Sequence, residues 1–412
     1  MSQLEFEKRK QYLCKAPFSG LTVNPTGSIT LCCSGGPVTT PLGHISEVDS
    51  LQQFYNSEIM ENVRILHENK AIEQSVCAGC YRQYAAGKHN MMTIYNNFWD
   101  WTKRNFDNDW YDRKADIDRP LRFLEYTCSN ICNQTCASCS SWFSSKWRDY
   151  ELAFTLDQQE HFDKTPKPIL RLTEKDIDKI VDVLPHLDFL SMKGGEPWAD
   201  KNNVKILEQL LKVNPSCTVD IISNMQSIPE STWKMLGSVD HSLTNLWLSA
   251  SIDGVGKEYN WIRGGNFNKT VENLERWHEV TKKKVRINPF VSIFNFFSLD
   301  KIVDYFISKP YVTGVTISNI GTYPTYIKAQ NLPSYIVAEQ VDYYRTKFNS
   351  YDQLSGKLYC SPLLNNINEN TTNLAELKKS FEWIEVVNNI RGFDLLDHVP
   401  ELKRIKEVIC DD

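Results

Sequence analysis

Between Leu121 and Ile320, short apolar runs alternate with stretches whose apolar residues recur at helical spacing. LRFLEY, LDFLSM, TVDII, LWLSAS, INPFVSIF and GVTISNI read as six strands, with TEKDIDKIVDVL, VKILEQLLK, STWKML, TVENLERW and LDKIVDYFI as helices between them. In TEKDIDKIVDVL, Ile177, Ile180, Val181 and Leu184 share one face, and Thr173 stands where an N-cap would accept from the first turn. Strands alternating with helices make βαβ units. The pattern therefore predicts an α/β fold with a parallel sheet, either open or curled into a partial barrel. In such folds the chemistry sits beyond the C-terminal ends of the strands.

The flanks follow other patterns. The first 115 residues carry the turn signals VNPTGS, SGGP and PLGH and read as a small module of their own. The polar run NFDNDWYDRKADID reads as a connector, and beyond Gly321 the segment NNINENTTN reads as an exposed loop and AELKKSFEWIEVVNNI as a C-terminal helix. The expected division is 1–115, 116–320 and 321–412, with no internal repeat or low-complexity tract.

Composition narrows the chemistry. A chain of 412 residues, 41% hydrophobic and 12% aromatic, can bury a sizeable core, and a formal charge of -5 gives no chain-wide footprint for nucleic acid. MSQLEFEKRKQYL is charged and lacks the apolar core of a secretory signal, and no stretch approaches the ~20 apolar residues that span a bilayer. The expectation is a cytoplasmic protein without a membrane partner. In a reducing compartment, closely spaced cysteines bind metal or do redox chemistry more often than they pair.

The 12 cysteines are grouped. Cys217, Cys360 and Cys410 stand alone and read as buried, inert thiols. CNQTCASC places Cys132, Cys136 and Cys139 at C-x3-C-x2-C, five residues after the first strand run, with Cys128 just upstream. Four thiolates including Cys128 would close a zinc site or an ordinary cluster. Three on a cubane leave one iron open to another ligand. Spacing alone leaves both readings standing.

Placed after a first strand, C-x3-C-x2-C resembles the signature of the radical S-adenosylmethionine (SAM) enzymes, and three downstream motifs fit the resemblance. Gly194, Gly195, Glu196 and Pro197 end the second strand run and match the family's GGEP, whose sheet edge and acidic residue bind the SAM amino group. As residue types, glycines admit a ligand to the backbone and a carboxylate pairs with an ammonium, although GGEP alone could be a turn. LSASIDG, with Ser251, resembles the S-x-D-G of the peptide-modifying branch, and Arg263, 12 residues on, suits the SAM carboxylate rather than a surface ion pair. Two positions depart from the family. Ser138 replaces the large residue before the third cysteine, leaving Trp142 or Phe143 to pack the adenine. Ser223, Asn224 and Met225 stand where T-N-G is usual, leaving Asn224 for the ribose.

The N-terminal pattern Cys14-x12-Gly27-x4-Cys32, followed by Cys77-Ala-Gly-Cys80, resembles half of the SPASM and twitch motif, which holds an auxiliary [4Fe-4S] cluster. In the family that module usually follows the core; here it precedes it. A zinc ribbon on the same four thiols is the competing reading, and Cys33 could substitute for Cys32, although the G-x4-C spacing selects Cys32. Together the resemblances imply a partial (βα)6 TIM-like barrel with a small N-terminal iron-sulfur module and a C-terminal helical extension. They further imply a SAM-binding [4Fe-4S] cluster on Cys132, Cys136 and Cys139 that yields a 5′-deoxyadenosyl radical, an auxiliary [4Fe-4S] cluster, and an electron donor such as flavodoxin or ferredoxin. The substrate would be a peptide, or a small molecule such as a carbohydrate or nucleotide, oxidised by hydrogen abstraction. A non-catalytic iron-sulfur or zinc protein is the alternative from another class, and GGEP with Ser251 and Arg263 argues against it.

Overall fold

A computed structural model describes residues 14–33, 40–86, 90–93, 95–96, 119–367 and 372–410. The polar connector and the N-terminal run lie outside the described residues, as do SGGP and part of the NNINENTTN loop.

The six expected strands form as β4 (Phe123–Thr127), β5 (Phe189–Lys193), β6 (Thr218–Ser223), β7 (Asn245–Ala250), β8 (Val285–Ile287) and β10 (Val312–Thr316). They lie side by side in that order, every pair parallel. Thr173 caps the helix Glu174–Val183 through a capping box with Asp176, and Ile177, Ile180 and Leu184 are buried beneath it. The fifth strand differs from the sequence reading. Pro289 cannot donate to a ladder, so β8 ends at Ile287 and the next two residues form β9 (Phe290–Val291) against β11 (Asn319–Ile320) in a separate sheet.

The sheet does not stop at the barrel strands. At one edge β1 (Gly20–Val23) runs parallel to β4, and β2 (Ser28–Thr30) and β3 (Gly43–His44) continue antiparallel beyond it. At the other edge β12 (Leu358–Tyr359) pairs in parallel with β10. The sheet has 10 strands, and its edges do not meet. Gly27, at φ +88°, makes the tight β1–β2 turn, which few side chains tolerate. One hydrophobic core runs from Leu21 and Ile29 through the barrel to Val387 and Leu402.

The two ends of the barrel differ. At the N-terminal ends of the strands, Tyr95, Phe123, Phe189 and Trp247 follow one another at centroid distances of 5.4, 5.2 and 6.0 Å and plug the interior. At the C-terminal ends lie the cysteine loop, the GGEP turn and a cavity. Beyond β10 the described chain is mainly helical, and the helix Leu374–Arg391 buries Phe381, Trp383 and Val387. Among the described residues no helix is long and apolar enough to cross a membrane.

Candidate functional site

Strand alternation sorts the residues of β4. Glu125 and Thr127 face a cavity of about 420 Å³, while Tyr126 and Cys128 are buried in the core. The charges nearest Cys128 are Asp200 and Arg171, and burial pushes its thiol well up. It therefore does not join Cys132, Cys136 and Cys139, which the loop brings together: Cys139 senses both of the others, and burial pushes all three thiols up. Cys132 and Cys136 are buried and Cys139 is half-buried.

Side chains from distant segments hold this loop in shape. The Asn130 amide bridges it, donating to the Ser141 carbonyl at 2.8 Å and accepting from Leu170 N at 2.9 Å. Trp147 Nε1 donates to the Cys136 carbonyl and Trp383 Nε1 to the Ala137 carbonyl, both at 2.9 Å. Arg391 donates to Thr135 Oγ1 at 2.8 Å and to the Thr135 carbonyl. Lys164 Nζ donates to the Cys139 carbonyl. Burial pulls the Lys164 ammonium down to about 8.

The GGEP turn docks onto the same loop. Gly195 N donates to the Ser129 carbonyl at 3.2 Å and Glu196 N to the Ile131 carbonyl at 2.8 Å. A Cβ on Gly195 would lie 2.3 Å from the Ile131 oxygen, and Gly194 has φ +146°. Both glycines line the cavity, but close approach to the loop backbone is their more stringent demand. Glu196 turns away from the cavity. Its carboxylate accepts from Ser223 Oγ and Asn224 N at 2.7 Å and from Trp198 N at 3.4 Å. Burial pushes that carboxyl up to about 7 against the pull of these donors. Pro197 opens the short turn Pro197–Ala199, also off the cavity.

Asn224, Ser251 and Arg263 do line the cavity, together with Trp142 and Phe143. Asn224 Nδ2 sits 2.8 Å from Asn133 Oδ1 and 3.9 Å from Cys132 Sγ. Arg263 Nη1 pairs with buried Asp253 at 3.0 Å, which leaves the buried Nε without a partner. The Arg263 side chain lines the cavity as a partly exposed guanidinium, a fork that matches a carboxylate. The residues at this end therefore fit a ligand with a carboxylate, as SAM has.

At the other end of the cavity, β2 delivers Cys32 and Cys33 to different surroundings. Cys14, Cys32, Cys77 and Cys80 line a second cavity of about 230 Å³, whereas Cys33 lines only the larger one. There Lys193 Nζ lies 2.6 Å from Glu125 Oε2 and 3.8 Å from Cys33 Sγ. The placement thus favours Cys32 over Cys33 as a partner of the other three thiols. His67 also lines the smaller cavity; it is wholly buried, both its ring nitrogens lack a partner, and burial pulls its pKa down to about 4. A neutral imidazole N–H with nothing to bond, beside four thiols, fits a cavity built around a sulfur-rich guest. Zinc would draw the sulfurs to about 4 Å of each other, given Zn–S bonds of about 2.3 Å. Among the described residues no three such donors converge tightly enough for one ion, whereas the thiolates of a cubane reach separate irons.

Sequence reasoning did not reach Lys164, Trp383, Arg391 or His67. Trp383 and Ala137 are 246 positions apart, and no local pattern announces such a contact.

The iron-sulfur cluster-binding domain called SPASM matches residues 14–81. No curated protein matches the chain. Among solved structures, the chain is similar to Streptococcus suis SuiB at 17% identity and TM-score 0.41, covering 71% of this chain and 62% of that one. SuiB bound to S-adenosylmethionine gives 15% and 0.42, with 66% and 63% covered. Native anSMEcpe with bound AdoMet gives 16% and 0.38, with 57% and 63% covered. The chain thus spans under two thirds of the length of these structures. The SPASM match over residues 14–81 gives the chain an iron-sulfur cluster-binding segment, and that segment precedes a parallel α/β sheet whose loops bear C-x3-C-x2-C and GGEP.

Proposed function

We propose that this protein is a radical SAM enzyme that oxidises a peptide or protein side chain, with residues 1–115 as the auxiliary-cluster module, 116–320 as the catalytic barrel and 321–412 as an extension supporting it. One observation carries this reading. A single cavity has Asn224, Ser251 and Arg263 at its barrel end, and at its other end Cys32, which also lines the four-thiol cavity. A substrate there would lie between the two thiol sets.

Cys132, Cys136 and Cys139 would hold the SAM-binding cluster, and Cys14, Cys32, Cys77 and Cys80 the auxiliary one. Bound together, the first cluster and SAM supply reductive cleavage to methionine and a 5′-deoxyadenosyl radical that abstracts hydrogen. The chain's own residues orient and exclude. Arg263, held by Asp253, takes the SAM carboxylate, Asn224 reaches the ribose, and Trp142 and Phe143 flank the adenine. Glu196 acts indirectly, by fixing Ser223 and Asn224 at the end of β6. With four thiols of its own, the auxiliary cluster has no open iron, which favours electron transfer over substrate ligation. An external electron donor such as flavodoxin or ferredoxin would reduce the first cluster.

At about 420 Å³ the cavity is near the small end of ligand sites. With SAM in place there is room for a protruding side chain rather than a second whole ligand, which favours a peptide over a carbohydrate or nucleotide. The test is anaerobic reconstitution with iron, sulfide and dithionite, followed by measurement of 5′-deoxyadenosine. Wild-type protein should form it from SAM, and Arg263→Ala should raise the SAM KM at least tenfold. No 5′-deoxyadenosine from iron-loaded wild-type protein would sink the reading.

A further inference from the structure

Lys164 is 1% exposed. Its ammonium lies 5.1 Å from the centroid of Trp147 and 4.6 Å from that of Trp383, and it donates to the carbonyl of Cys139. Among the described residues no carboxylate pairs with it. Glu151, the closest acid by influence, gives one carboxylate oxygen to Ser141 N at 2.9 Å. Arg391 reaches Thr135 of the same loop and the Trp261 carbonyl, and it too has no carboxylate partner among the described residues. Buried cations are ordinarily paired, because an unpaired one carries a large desolvation cost.

Both cations are turned toward one short loop, that of Cys132, Cys136 and Cys139. Resting on the function proposed above, we infer that Lys164 and Arg391 are positioning residues that serve as the fixed counter-charge of the cluster held by this loop and raise its reduction potential. Three thiolates around a cubane make the assembly net negative, and reduction adds one more negative charge. A buried cation behind the loop therefore stabilises the reduced form more than the oxidised form, with little water to screen it. The two tryptophan faces add to this by holding the ammonium in place from an apolar side. Trp383 and Arg391 both lie on the helix Leu374–Arg391, so the C-terminal extension would belong to the redox site.

The test is a redox titration of the reconstituted full chain, monitored by electron paramagnetic resonance and following the cluster signal that changes when SAM is added. In Lys164→Met the ratio of reduced to oxidised cluster at a fixed potential should fall about tenfold, equivalent to about 59 mV for a one-electron couple. Lys164→Arg should restore the wild-type titration, since it keeps the charge, and the SAM-insensitive signal should not move in either variant. Arg391→Gln keeps a donor for Thr135 and removes the charge, so a smaller shift of the same sign is expected. If Lys164→Met does not load iron, Arg391→Gln decides the matter. A titration within twofold of wild type in the iron-loaded charge-removing variant overturns the inference. A wild-type protein with no SAM-sensitive signal overturns the functional proposal itself, and the inference with it.

Discussion

The two groups of thiols are built in opposite ways. Cys132, Cys136 and Cys139 sit on one short loop whose carbonyls are already bonded by Trp147, Trp383, Arg391 and Lys164. Cys14, Cys32, Cys77 and Cys80 come from three separate segments and meet only around a cavity, beside a histidine that bonds nothing. The first site has its shape before any metal arrives, whereas the second needs its guest to tie the segments together. Metal binding to the second site is therefore also folding free energy for the module.

The largest effects should come from removing ligands. We predict about eight irons in reconstituted wild-type protein and about four in Cys132→Ala/Cys136→Ala/Cys139→Ala, on the reading of two cubanes. That variant should lose 5′-deoxyadenosine formation entirely while its thermal unfolding changes little. Cys77→Ala/Cys80→Ala should do the reverse, retaining 5′-deoxyadenosine but losing product, with early local unfolding near the N-terminus seen by hydrogen exchange. Equal destabilisation by the two sets would erase the contrast between them, and zinc in place of the residual iron would replace the auxiliary cluster by a structural site.

Next in size is the clamp on the barrel loop. Trp383 is fully buried among Trp147, Phe154, Phe162 and Tyr326. Trp383→Ala should cost about 3 to 5 kcal/mol, the range for deleting a buried aromatic, and should halve iron loading at the barrel loop only. Chemical denaturation together with iron counting reads both effects. Gly195→Ala should follow at about 1 to 3 kcal/mol, because its methyl would meet the Ile131 and Asn130 oxygens. If Gly195→Ala is silent, the GGEP turn is not docked as described.

How much of this was legible in the sequence follows the same division. The barrel loop could be read because its three cysteines lie within eight residues and its strand is announced by periodicity. The helix Leu374–Arg391 could be read as a helix, but the partners of Trp383 and Arg391 lie 246 and 256 positions away in sequence, so its task could not. The turn signals mark the loops of the N-terminal segment, yet the parallel pairing of β1 with β4 is a non-local contact that no local pattern encodes. Of the adjacent Cys32 and Cys33, the G-x4-C spacing selects Cys32, whereas the different surroundings of the two are set by non-local packing. Glu196 was recognised by type as a partner for an ammonium, but its donors Ser223 and Asn224 come from the next strand and draw it away from the cavity.

That rotation of Glu196 gives the smallest effect and a distinctive signature. Its carboxyl rises from an ordinary 4.5 to about 7 in the fold, with burial as the leading cause. A carboxyl whose folded pKa exceeds its unfolded value binds its proton more tightly when folded. Its contribution to stability is then fully present below about pH 4.5 and is lost as pH rises through 7. The metal-free protein should therefore weaken by on the order of 1 to 2 kcal/mol between about pH 5 and pH 7 through this group. Glu196→Gln removes the titration, at the cost of presenting an amide N–H toward one of the three donors. The variant should be weaker at pH 5 but flatter in its pH profile, with urea midpoints at several pH values giving both slopes. SAM binding would then suffer only through displacement of Asn224, so KM should rise less for Glu196→Gln than for Arg263→Ala. Parallel pH slopes in the wild type and Glu196→Gln would show that Glu196 stays ionised throughout. Its three donors would then outweigh burial, and a direct pairing with the SAM ammonium would return as the better account of the motif.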